Sequence, residues 1–199
     1  MRISFIIFLL VLPAGCSEGY IEGQNSFGFV MDIPDNWLTL SHEETEELSG
    51  GSVKDLPPRF MNQVKQQFKQ MMKAGNIEIY FRKSITVPDF LDNVIVSQAN
   101  YSLPKTEKDL QKVRDALPGE LEKKFGRPVD LKECKYAEVG GRNALYLEFE
   151  DGSCNKTCMQ YQVHKSRRKT ILITATCSND TLLEVRAEFE QMIASIRFP

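Results

Sequence analysis

The chain has 199 residues, with 25 lysines and arginines against 27 aspartates and glutamates. That length suffices for one domain with a sizeable core. The near-even charge gives no electrostatic case for nucleic acid, and Arg167-Arg168-Lys169 reads as a solvated turn rather than a patch for anionic lipid.

The chain starts with Met1-Arg2, an apolar run from Ile3 to Leu12, and then Pro13-Ala14-Gly15-Cys16. The run is shorter than the roughly 20 residues that a bilayer-spanning helix needs. It fits the h-region of a secretory signal peptide, so residues 1–15 are expected to be removed. Leu12 to Cys16 resembles the lipobox of bacterial lipoproteins through Ala14, Gly15 and Cys16, and departs from it at Pro13. The resemblance implies a lipid such as palmitate on Cys16 and a place in the cell envelope. Ser17 resembles an outer-membrane sorting signal in a cell that has two membranes. Ordinary cleavage past Cys16, giving a secreted protein, is the alternative.

Residues 16–26 are polar, with Gly19 and Gly23, and read as a tether to a domain spanning 27–199. Phe27 to Ile33 alternates as a strand does, and Pro34-Asp35-Asn36 turns the chain. Trp37, the only tryptophan, is a core candidate. Phe60, Val64, Phe68 and Met71 recur at helical spacing, which predicts a helix over 57–74. Strands are expected over 77–81 and 93–98. A helix then runs from Thr106 to Phe125, broken or kinked at Pro118-Gly119.

The last third reads as four strands, at 131–139, 143–150, 159–163 and 170–176, joined as a meander. A closing helix starts behind Thr181, with Glu184 completing a capping box. Its expected buried stripe is Leu182, Val185, Phe189, Met192 and Ile196. This order defines an α+β fold, an α/β/α sandwich with a mainly antiparallel sheet.

Apart from Cys16 there are four cysteines: Cys134, Cys154, Cys158 and Cys177. An even count in an exported chain favours disulfides over free thiols. A four-cysteine zinc site lacks its paired C-x-x-C spacing. Four cysteines allow three pairings. The meander favours Cys158–Cys177 with Cys134–Cys154. Matching Val163 with Ile171 sets Cys158 opposite Thr176 instead, and a one-residue bulge would then be needed.

Catalytic signatures are scarce. His42 lies among Glu43, Glu44, Glu46 and Glu47, a solvated face more readily than a metal site, and His164 ends a strand beside a basic turn. No G-x-S-x-G, P-loop or H-E-x-x-H occurs. Asn100-Tyr101-Ser102, Asn155-Lys156-Thr157 and Asn179-Asp180-Thr181 match the glycosylation sequon, which would matter only in a secreted eukaryotic protein.

Several segments resemble the PsbP-like family. They are Phe27-Gly28-Phe29, Ile33-Pro34-Asp35-Asn36-Trp37, Val139-Gly140-Gly141-Arg142-Asn143-Ala144 and Ile193-Ala194-Ser195-Ile196-Arg197-Phe198. The resemblance spans roughly residues 27–198. It implies the PsbP-like fold and a binding or assembly role with a protein partner. It implies no cofactor, no small-molecule substrate and no catalytic residue. An envelope hydrolase or thiol oxidoreductase is the alternative reading.

Overall fold

A computed structural model describes residues 20–24, 27–40, 77–83, 90–151 and 154–199. Cys16, the signal segment, His42 with its neighbouring glutamates, and the helix expected over 57–74 lie outside the described residues.

Strand β1 (Tyr20–Gln24) pairs antiparallel with β2 (Val30–Pro34) in a two-stranded sheet. Part of the segment read as a tether is therefore a strand. The main sheet contains β3 (Trp37–Leu40), β4 (Ile77–Arg82), β5 (Asn93–Ala99), β6 (Asp130–Val139), β7 (Arg142–Asp151), β8 (Lys156–Ser166) and β9 (Lys169–Ser178). Its order is β3-β4-β5-β9-β8-β7-β6, with every neighbour antiparallel. The expected meander is β6 to β9.

Among the described residues, one helix packs on each face. Helix α1 (Glu107–Phe125) buries Leu110, Val113, Leu117 and Leu121 against Leu145, Leu147 and Phe149 of β7. The hydroxyl of Thr106 accepts from the Asp109 amide at 3.2 Å, and Gly126, at φ 70°, ends the helix with its N–H on Glu122 O. The helix runs unbroken through Pro118, which leaves a kink as the remaining form of the expected disruption. The missing hydrogen bond costs about 3 kcal/mol. Leu117 and Leu121, fully buried on either side of it, recover about 1.5–3 kcal/mol each.

Helix α2 (Leu182–Ala194) covers the other face, where Val185, Phe189 and Met192 meet Met31, Trp37, Val94 and Ile173. Its expected Thr181 cap is absent. A 3-10 turn over Asn179–Thr181 comes first, and Ser178 caps that turn by accepting from the Asp180 amide. The chain end returns to β2. Val30 and Arg197 exchange backbone hydrogen bonds of 2.8 and 2.9 Å, and Phe198 lies 5.7 Å from Phe29, ring to ring.

The cysteines do not meet, which corrects the disulfide expectation. All four are unbonded. Cys158 pairs with Thr176 and Cys177 with Thr157. Adjacent residues on a strand point to opposite faces, so Cys158 lies under α1 and Cys177 under α2. The irregularity in this hairpin falls between His164 and Ser166, beyond Val163–Ile171, and leaves the cysteine register unchanged. Cys134 sits mid-strand opposite Leu147, whereas Cys154 is bound to Asp151 O beyond the strand end. Four residues of strand separate those positions, about 13 Å, well past disulfide reach.

Candidate binding site on the open half of the sheet

Leu145, Leu147 and Phe149 of β7 face α1, so Tyr146 and Glu148 face the side of α2. Helix α2 leaves the β6 half of that face uncovered. A cavity of about 410 Å³ opens there, lined by Glu133 and Lys135 from β6, Tyr146 and Glu148 from β7, Tyr161 from β8, and Arg186 and Glu190 from α2. Arg186 and Glu190 are four residues apart and so share one helix face.

Arg186 grips Glu148 with two nitrogens, at 2.6 and 2.7 Å. The Tyr146 hydroxyl donates to Glu148 at 2.6 Å. Tyr146 and Tyr161 form an aromatic floor with ring centres 4.8 Å apart, continued by Phe189 at 5.7 Å from Tyr161. The Lys135 ammonium sits 5.3 Å above the Tyr146 ring and is paired with Glu133 at 2.5 Å.

The electrostatics lock each proton in place. Burial pushes the Glu148 carboxyl up, but the Arg186 and Tyr146 hydrogen bonds outweigh it and hold the group below its ordinary range. Burial and the adjacent carboxylate push the Tyr146 hydroxyl up. The hydrogen bond to Glu148 keeps Arg186 charged. At neutral pH Glu148 is therefore ionised and Tyr146 is protonated. What remains is a shelf with aromatic rings, a neutralised ion pair and the rim carboxylates Glu133 and Glu190. Its chemistry suits gripping a polar or cationic side chain.

Three of the four thiols, Cys134, Cys158 and Cys177, are buried. Burial pushes Cys134 up to about 11, against Arg114, and raises Cys158 and Cys177 as well. His164 is exposed near the end of β8, and the Arg167-Arg168 turn is exposed too. Among the described residues no three His, Cys, Asp or Glu side chains gather as a metal site requires. No described helix is long and apolar enough to cross a membrane.

Sequence reasoning missed the shelf. It placed a strand over 143–150 and singled out the apolar stripe of α2. Tyr146, Glu148 and Arg186 occupy the complementary positions, and nothing local pairs residues so distant in the chain.

The fold is PsbP-like. It is shared with cyanobacterial PsbP (CyanoP) from Synechocystis sp. PCC 6803, at a TM-score of 0.53 and 14% identity, covering 93% of this chain and 98% of that one. LpqN of Mycobacterium tuberculosis, involved in cell envelope biogenesis, matches at a TM-score of 0.52 and 13% identity, covering 91% and 90%. No family model matches the sequence. No curated protein matches it either.

Proposed function

We propose that this chain is a non-enzymatic envelope lipoprotein that binds or assembles a protein partner through the Tyr146–Tyr161 shelf. The observation that carries the reading is the proton-locked Arg186–Glu148–Tyr146 cluster in an open cavity. It offers recognition without a general acid, a general base or an activated nucleophile. The apolar run before Cys16 supports export, and the lipobox resemblance supports a lipid there, on the outer membrane of a two-membraned cell. The fold shared with LpqN supports an envelope role. The buried, protonated thiols speak against a thiol oxidoreductase.

Two measurements test the reading. Metabolic labelling with a clickable fatty acid marks the wild type and not Cys16→Ala; equal labelling of both defeats the anchor. Co-purification from solubilised envelope retains a partner that Glu190→Lys, a charge reversal at the exposed rim, releases. A partner held equally by both defeats the shelf.

A further inference from the structure

Among the described residues, strand β6 is an edge of the main sheet, paired with β7 alone. Lys132, Glu133, Lys135, Tyr136 and Glu138 are exposed along it. The hairpin fixes which backbone groups face outward. Gly140-Gly141 is a two-residue loop closed by Val139–Arg142, and such loops close on a hydrogen-bonded pair. Alternation then turns Glu133, Lys135 and Ala137 toward β7. Cys134, Tyr136 and Glu138 turn their N–H and C=O outward. The Cys134 carbonyl agrees, for it accepts the Arg114 Nε–H at 2.8 Å.

We propose that β6 pairs antiparallel with β6 of a second copy of this chain, about a two-fold axis through Cys134. Opposed residues in an antiparallel ladder share their hydrogen-bonding class, so the axis must pass through a residue that faces itself. At Glu133 or Lys135 it would oppose like charges. At Tyr136 or Ala137 it would leave both Glu133 and Lys135 facing uncharged residues. At Cys134 it sets Glu133 opposite Lys135 of the second copy, twice. Directly opposed unlike charges favour pairing and like charges oppose it.

Both side chains are solvent-facing and within salt-bridge reach, since they already pair along their own strand. Arg114 stands guard on the edge, held by Cys134 O and by Glu107 at 2.5 Å. The cavity of about 370 Å³ that it lines with Lys132 and Cys134 gives it room to swing aside. The irregularity between Leu131 and Glu133 shortens the ladder, so the dimer is weak.

Sedimentation velocity tests this on the full chain carrying Cys16→Ser, so that no acyl group adds its own association. Up to about 1 mM the protein shows a monomer–dimer equilibrium. Glu133→Lys and Lys135→Glu each weaken it at least about tenfold, because each opposes like charges at both pairs. Mixing the two variants restores association, since every opposed pair is then unlike. Arg114→Ala tightens the wild-type dimer. A protein monomeric throughout, single variants that dimerise like wild type, or a mixture no tighter than either variant alone overturns the proposal.

Discussion

The indole of Trp37 donates to the Glu188 carboxyl at 2.8 Å, tying the first strand of the main sheet to the last helix. Asn36 adds a second donor at 3.3 Å. Burial pushes Glu188 up to about 7 against both donors. A carboxyl raised on folding stabilises most below its unfolded value near 4.3, and this contribution fades as pH rises through the folded value. Stability should therefore fall between about pH 4.5 and 7, by about 3 kcal/mol at most. Glu188→Gln keeps an acceptor for Trp37 and cannot ionise. Denaturant unfolding should find it less pH-dependent than wild type and more stable at pH 8. Parallel pH profiles for the two proteins would contradict this.

Gly140 and Gly141 both hold positive φ, at 55° and 74°, yet they differ in their surroundings. A Cβ on Gly140 would lie 2.8 Å from Ile196 O and 2.9 Å from the Phe198 ring, whereas one on Gly141 meets nothing within 4 Å. Gly140→Ala should cost about 2–4 kcal/mol, from backbone strain plus the clash. Gly141→Asn should be close to neutral, because asparagine tolerates this conformation. Comparing the two unfolding midpoints checks the contrast.

Breaking the shelf's ion pair from one side should hurt more than removing it whole. Arg186→Met leaves Glu148 unpaired, at a cost of about 2–3 kcal/mol, below the fully buried case because Arg186 is 31% exposed. Arg186→Met with Glu148→Leu should recover much of that loss. Because the folded carboxyl titrates below its ordinary range, the Glu148 contribution is present above about pH 4.3 and is lost as pH falls through the folded value. A double-mutant cycle by chemical denaturation gives the coupling.

The separated cysteines make the domain indifferent to reductant. The unfolding midpoint should not move when a reductant is added. A thiol reagent should find Cys154, the one partly exposed among the four, in the native protein, and Cys134, Cys158 and Cys177 only after denaturation. A midpoint lowered by reductant would restore the disulfide reading.

Much of the fold was legible because its signals are local. The alternation of Leu145, Leu147 and Phe149 gives β7 its α1-facing side, and the stripe of Val185, Phe189 and Met192 gives α2 its buried face. Three of the four segments that carried the family resemblance come together at one corner. Phe29 stacks on Phe198, Gly140 makes room for the backbone at Ile196, and the Arg142 guanidinium lies 3.9 Å from the Phe198 ring. They mark packing, which is why they disclosed the fold and not the partner. The shelf was illegible because Glu148 and Arg186 stand on separate elements, and their meeting depends on where α2 crosses the sheet. The Cys158–Cys177 pairing failed on parity, since a shift of one residue in register reverses the face of a side chain, and the Cys134–Cys154 pairing failed on distance along the strands.

The most direct test of the shelf as the working surface is photo-crosslinking in intact cells. A photoreactive phenylalanine analogue replaces Glu190 on the shelf rim or, as the control, the exposed Lys123 on α1 across the sheet. The account predicts a discrete adduct with another envelope protein from position 190 and none from position 123. No adduct from position 190, or the same adducts from both positions, would contradict it.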